Sequence, residues 1–176
     1  MKIKVVADTS SLVSLENVRL IGKILKIAEI IVPSEVVKEL EEISQYEDVE
    51  GRSAKRILEF IKENIIRVCR VKDIKKINSL LSVAIDRGEA ECLVCCIENK
   101  IKNLIIDDVD AMYLLEETAI KNEIETNISF WLLTELINKR IISKKEAYKL
   151  IKKMIKIREW EGGILEVLAK KYLENV

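Results

Sequence analysis

No histidine occurs anywhere in the 176 residues. That excludes Ser-His-Asp and Cys-His nucleophilic centres, imidazole acid–base pairs and His-containing zinc sites. Proline appears once and glycine five times, too little for long irregular loops or for a Gly-rich turn that cradles phosphates. None of those glycines follows the first apolar run, where a dinucleotide-binding site needs them. Charge of one sign is not in excess: 30 basic residues balance 30 acidic ones. A general basic field is therefore ruled out, and any contact with nucleic acid has to come from a local patch. No apolar stretch approaches the roughly 20 residues of a bilayer span. The charged N-terminus, with its short apolar run, does not read as a secretory signal. We therefore expect no membrane association and a cytoplasmic location. The cysteines Cys69, Cys92, Cys95 and Cys96 are then expected as free thiols in a reducing compartment. The Cys92–Cys95 spacing lacks the second pair that a zinc site needs, so these residues read as small apolar core fillers.

What is present suits a globular chain: hydrophobic residues make up 49% and charged residues 34%. The length fits one domain with a small annex, burying roughly 70% of the unfolded surface. Short apolar runs alternate with helical patterns. Strands are expected at Ile3–Ala7, Glu29–Val32, Ile65–Cys69, Asn103–Ile106 and Ile124–Thr126. Between them, apolar residues at helical spacing predict helices over Val18–Ala28, Ser34–Ser44, Arg52–Asn64, Ile74–Val83, Glu89–Asn99 and Ala111–Ile120. Pro33 is expected at the first helical position, and Gln45–Gly51 reads as a mobile polar loop. Strands alternating with helices imply a parallel α/β sheet with right-handed crossovers.

Chemistry is carried by acids at strand ends. Ile3, Val5, Val6 and Ala7 run without polar alternation, as in a strand buried on both faces, and Asp8 stands where that strand stops. Thr9, Ser10 and Ser11 follow with side chains suited to starting a helix, so Asp8 reads either as a helix cap or as a ligand group at the carboxyl edge of the sheet. Leu104-Ile105-Ile106 ends the same way in Asp107-Asp108, two carboxylates whose repulsion leaves few structural reasons for the pair. Glu39 flanks the Val36, Val37, Leu40 stripe, and Glu91 lies at the border of the Ala90, Leu93, Val94, Ile97 stripe. By itself Glu39 is more often a solvated flank, and Glu89 and Glu91 suit a helix start through the macrodipole alone. Clustered carboxylates without histidine suit a hard cation such as Mg2+ or Mn2+ and phosphodiester chemistry through metal-activated water.

Four motifs in order then resemble those of the PIN-domain nucleases, the family that includes VapC-type toxin ribonucleases. They are Val-Val-Ala-Asp-Thr-Ser-Ser-Leu (5–12), Val-Pro-Ser-Glu-Val-Val-Lys-Glu-Leu (32–40), Asp-Arg-Gly-Glu-Ala-Glu (86–91) and Leu-Ile-Ile-Asp-Asp (104–108). The resemblance covers residues 5 to about 128. It implies a three-layer α/β/α domain over 1–128 with a central parallel sheet, followed by a C-terminal helical extension over 129–176. It implies Asp8, Glu39, Glu91 and Asp108 as metal-holding catalytic acids, with Ser10, Asp107 and Glu89 supporting; Glu89 is the alternative to Glu91. It further implies Mg2+- or Mn2+-dependent cleavage of single-stranded RNA, a homodimer and, in a toxin, an antitoxin partner whose basic residue enters the acidic groove. The third acid is Glu, in a Gly-Glu-Ala-Glu context, where the toxins usually carry Asp, as in a prokaryotic PIN-like subgroup.

The tail is expected to form helices over Ser129–Asn138, Ser143–Arg158 and Ile164–Asn175, with Ser143 and Glu146 as a capping box. Lys144, Lys145, Lys149 and Lys152 lie opposite an apolar stripe; they are either a solvated face or RNA-backbone contacts. Phe130, Trp131 and Trp160 are expected to pack the tail or a dimer face, with base stacking as the lesser alternative. Other acid chemistries fit less well. An aspartate-nucleophile phosphatase needs a second acid two residues after Asp8, where Ser10 stands, and a receiver domain carries its acidic pair early rather than late. A PIN-like scaffold without catalysis, binding RNA or a protein, is the alternative to the nuclease.

Overall fold

Val5, Val6 and Ala7 are wholly buried, as a run without polar alternation requires, and they end β1 (Ile3–Ala7). In the computed structural model, which describes residues 2–174, the chain continues through α1 (Thr9–Asn17), α2 (Ile21–Ile27), β2 (Ala28–Pro33), α3 (Ser34–Ile43) and α4 (Val49–Lys62). It then forms β3 (Arg67–Cys69), α5 (Ile74–Leu80), α6 (Arg87–Asn99), β4 (Asn103–Ile105), α7 (Val109–Lys121) and β5 (Glu125–Asn127). Three helices complete it: α8 (Ser129–Asn138), α9 (Lys144–Ile157) and α10 (Ile164–Glu174).

The strands form one parallel sheet in the order β3-β2-β1-β4-β5. Val5 is in register with Ile30 of β2 on one side and Asn103 of β4 on the other. The chain winds outward from β1 through β2 to β3, then crosses back to place β4 on the other flank of β1. Right-handed crossovers therefore put α1–α4 and α5–α7 on opposite faces, giving three layers. At the reversal between β1 and β4 the connections leave in opposite senses, and a crevice opens beyond their carboxyl ends. α6 lies across β1, β2 and β4, with α5 and α7 against it. α8 and α9 pack on α1, α8 also on α2, and α10 closes over α8 and α9.

A buried polar network fixes α1 against α4. Arg56 Nε donates to Glu16 Oε1 (2.6 Å), Arg56 Nη2 to Ser53 Oγ (3.1 Å), and Ser53 Oγ to Asn17 Oδ1 (2.7 Å). Glu16 is almost completely buried, so the guanidinium is what makes its charge tolerable there. The tail is anchored by Ala147, Ile151, Met154 and Ile155 of α9, and by an edge-to-face contact of Phe130 with Trp160 (5.9 Å, 85°). The aromatics thus pack the tail. Cys92, Cys95 and Cys96 are buried free thiols whose pKa values burial pushes up, as suits core fillers. No helix among the described residues is long and apolar enough to cross a membrane.

The elements depart from the sequence reading where caps decide the boundary. Val49–Gly51, expected in a loop, is the first turn of α4, because Asp48 accepts the Gly51 N–H at 2.8 Å and stops the chain from fraying. Pro33 is the N-cap of α3 and the last residue of β2. The Ser143 box is half formed: Ser143 Oγ accepts the Glu146 N–H (3.1 Å), while the Glu146 carboxylate turns to Lys23 Nζ (2.5 Å). Asn175, the expected end of the last helix, lies outside the described residues.

A methyl group at Gly51 would overlap the Tyr46 carbonyl of the preceding turn. Gly51→Ala is expected to lower stability by about 1–3 kcal/mol in chemical denaturation, although helix propensity alone favours alanine by about 1 kcal/mol.

Candidate active site

Because β1 and β4 are paired, their terminal acids arrive side by side. Asp8 donates its backbone N–H to Ile105 O (3.1 Å) and, as N-cap of α1, accepts the Ser11 N–H on Oδ1 (2.8 Å). Asp107 follows β4 and accepts the Ser129 N–H at the start of α8 (2.7 Å). Its Oδ2 is buried with no hydrogen-bond partner; the nearby Ser14 hydroxyl donates instead to Ser10 O (2.8 Å). Both residues are only 4% exposed. Asp108 stands at the exposed mouth and caps α7 through the Ala111 N–H (2.9 Å).

Two helices bring further acids to the same edge. Glu39, on α3, accepts a hydrogen bond from the Thr9 hydroxyl. The start of α6 lies so close to it that a Cβ on Gly88 would collide with the Glu39 carboxylate. Asp86 and Glu89 form a reciprocal capping box at that start, Asp86 Oδ1 accepting the Glu89 N–H (2.8 Å) and Glu89 Oε2 the Asp86 N–H (3.0 Å). Asp8, Glu39, Asp86, Glu89, Asp107 and Asp108 all line one cavity of about 430 Å3, together with Ser10 and Glu50.

Glu91, aligned from the sequence ahead of Glu89, does not line this cavity. Its Oε2 accepts the Glu35 N–H at the start of α3 (3.2 Å) and its Oε1 pairs with Arg87 (3.1 Å). Two positions apart on a helix is a turn of about 200°, so Glu89 and Glu91 cannot face the same way. The structure puts Glu89 inward and leaves Glu91 to satisfy a helix N-terminus. Lys144, Lys145, Lys149 and Lys152 are exposed on α9 and do not line the cavity.

The electrostatics follow from crowding like charges away from water. Burial first, then the neighbouring Asp107, raises the Asp8 pKa to about 8, against the lowering by its Ser11 hydrogen bonds. Burial raises Glu89 to about 7, with Asp86 and Asp108 adding to it. Burial likewise lifts Asp107 and Glu39, the Ser129 N–H and the Thr9 hydroxyl opposing.

Several residues of this cavity are invisible to motif reading. Arg158, just past α9, reaches in from the tail and donates through Nη1 to Glu50 and through Nη2 to Ser10 Oγ (3.1 Å). Trp160 lines the cavity beside it. The only signal in the sequence is that the basic helix ends in Arg158-Glu159-Trp160, its one arginine two residues before a tryptophan.

An oxygen-only donor set suits Mg2+ or Mn2+. The unpartnered Asp107 Oδ2 beside Asp8 is an acceptor that such an ion would satisfy. Among the described residues no three acids or thiols already stand close enough to chelate an ion; Asp8, Asp86 and Asp108 are turned to helix caps and Glu39 to Thr9.

A family profile described as PIN domain matches residues 4–163, taking in α8 and α9 as well as the sheet. Compared with curated proteins, the chain matches none of them.

Asp8 holds its proton up to about pH 8 in the folded state, against an ordinary value of 3.8. Between those limits the folded state binds more protons than the unfolded one, so stability falls as pH rises through that window. Thermal melts in chelator are expected to show this fall. Asp8→Asn keeps the cap and removes the charge; it should melt above wild type near pH 8, by on the order of 1–3 kcal/mol, with a flatter pH profile. A lower melting point for the variant at that pH overturns the assignment.

Proposed function

The chain belongs to the PIN-domain family, whose members are generally nucleases, and from that premise we propose that it is a divalent-metal-dependent endoribonuclease acting on single-stranded RNA. The observation that carries this reading is the burial of Asp8 beside Asp107 at the switch point, with Glu39, Glu89 and Asp108 around the same cavity. Each acid has its own local hydrogen-bond partner, but none of those partners requires the acids to share one cavity, and the raised pKa values of Asp8, Glu39, Glu89 and Asp107 mark a site that is costly without a cation.

In this reading Asp8, Glu39, Asp108 and Glu89 hold the ion, with Asp107 behind Asp8; Glu91 keeps α3 and α6 in register. When bound, Mg2+ or Mn2+ offsets the charge of the phosphodiester and makes water a nucleophile near neutral pH. Asp8 and Glu89 give up their protons on binding it, so affinity rises with pH up to about 8. The Thr9 hydroxyl and Gly88 fix the Glu39 carboxylate, the former by its hydrogen bond and the latter by leaving it room. The proposal extends to a homodimer, for which the exposed Tyr113, Leu114 and Ile120 of α7 offer apolar surface, and to the toxin role with an antitoxin partner. A PIN-like scaffold without catalysis is the second reading. It is favoured by one observation: the acids do not converge to chelating distance as they stand.

Cleavage of labelled single-stranded RNA with Mn2+, with Mg2+ and with chelator separates the two. Wild type is expected to cut only with metal, and Asp8→Asn and Asp108→Asn to lose at least about 100-fold in rate. No cutting of any of several RNAs, together with no Mn2+ binding by calorimetry, would leave the scaffold. In the same assay Glu89→Gln should lose activity with little change in melting point. Glu91→Gln should do the reverse, keeping activity within about tenfold and losing roughly 1 kcal/mol of stability; the opposite order would return the third acid to Glu91.

A further inference from the structure

One wall of the cavity is cationic and aromatic rather than acidic. Arg158 is largely buried, its side chain 18% exposed. Its Nη1 donates to Glu50 and its Nη2 to Ser10 Oγ (3.1 Å), while its Nε is buried with no hydrogen-bond partner. The guanidinium carbon lies 5.6 Å from the centre of the Trp160 ring, which Phe130 holds edge-on. A guanidinium present only to neutralise the buried acids would pair with Asp8 or Asp107. Its one carboxylate partner is instead Glu50 of α4, whose side chain is 44% exposed. Holding Arg158 between a half-exposed acid and a hydroxyl, with one buried donor unused, costs desolvation that the fold recovers only in part. A planar fork with an unused donor beside a part-exposed indole has the chemistry of a phosphate-and-base contact.

We propose that Arg158 and Trp160 form a nucleotide subsite, Arg158 clamping a phosphate of the single strand and Trp160 stacking on an adjacent base, so that the strand is laid across the acids. This rests on the reading of the cavity as a site for RNA. Ser10 and Glu50 hold the guanidinium in place until a phosphate replaces Glu50. The tail is then part of the binding surface, and the distance from the exposed lysines of α9 does not matter to it. Arg158 acts as a binding and positioning residue; the acids keep the chemistry.

The test measures anisotropy of a fluorescein-labelled single-stranded RNA over a salt series with Ca2+ in place of Mn2+, a cation that takes the same oxygen donors but activates water poorly, so that the strand stays uncut during the measurement. Arg158→Ala is expected to weaken binding at least about tenfold and to lower the slope of log Kd against log salt by about 0.7, the value for one phosphate contact on a single strand. Arg158→Lys should keep the slope and recover part of the affinity. Trp160→Ala should weaken binding about tenfold with the slope unchanged. Glu50→Gln, which removes the competitor, should bind more tightly than wild type; a purely structural ion pair would give only a lower melting point. If Arg158→Ala does not fold, the Lys, Trp160 and Glu50 variants still decide. Unchanged affinity and slope in Arg158→Ala, or tighter binding of RNA or Mn2+, overturns the subsite, the second outcome meaning that the guanidinium blocks the acids. Failure of wild type to bind the oligonucleotide overturns it as well. Wild type that binds but cleaves no RNA leaves the subsite standing and removes the nuclease; cleavage and binding unaffected by Arg158→Ala remove the subsite alone.

Discussion

Two carboxyl groups, Asp8 and Asp107, are buried beside each other because β1 and β4 are hydrogen-bonded neighbours whose last residues end at the same level. Neither is paired with a cation, and each raises the cost of ionising the other. What makes the arrangement tolerable is local: the Ser11 N–H on Asp8, the Ser129 N–H on Asp107, and the more distant charge of Arg158. The rest of the molecule supplies the rigidity. β1 lies at the centre of the sheet, and α1 is locked to α4 by the Glu16–Arg56 network, so neither carboxyl can move out into water without dismantling a buried layer.

The cavity is also where helix N-termini converge. Asp8 caps α1, Asp86 caps α6, Asp108 caps α7, and Asp107 accepts the N–H of the first residue of α8. Capping and ligand roles are therefore not alternatives for these acids. Each N-terminus presents partial positive charge and unsatisfied N–H groups, which helps to gather seven acids, Glu50 included, around a space of about 430 Å3. The same geometry explains why the acids stand turned to backbone groups rather than to one another: a cap satisfies each carboxylate singly, and only a shared cation rewards convergence.

The tail belongs to this site as much as the sheet does. α9 packs on α1 through its apolar stripe, and the chain leaving it delivers Arg158 to Ser10 and Glu50 and sets Trp160 on the cavity wall. The family match, running to residue 163, includes both residues.

Local pattern determined a good deal of this protein. The unbroken apolar runs before Asp8 and before Asp107-Asp108 fixed both strands as buried, and their alternation with helices required a parallel sheet whose acids share one edge. The lack of histidine and of Gly-rich loops left carboxylates, lysine, cysteine or a metal as the groups on which chemistry could rely. Those properties depend on residues a few positions apart. Boundaries set by single caps, such as Asp48 for α4, were less legible, because an aspartate in a polar segment looks the same in a loop and at a helix start. Glu39 stood out only through the resemblance, since its neighbours Glu35 and Glu42 share its helical flank. The choice of Glu89 over Glu91 as the cavity acid was a matter of tertiary structure alone: periodicity separates their directions but does not say which direction meets the cavity, and only the docking of α6 against α3 does. Arg158 was further out of reach. It meets Ser10 across 148 residues of chain, and no pattern along the sequence encodes a contact made by the packing of α9 on α1.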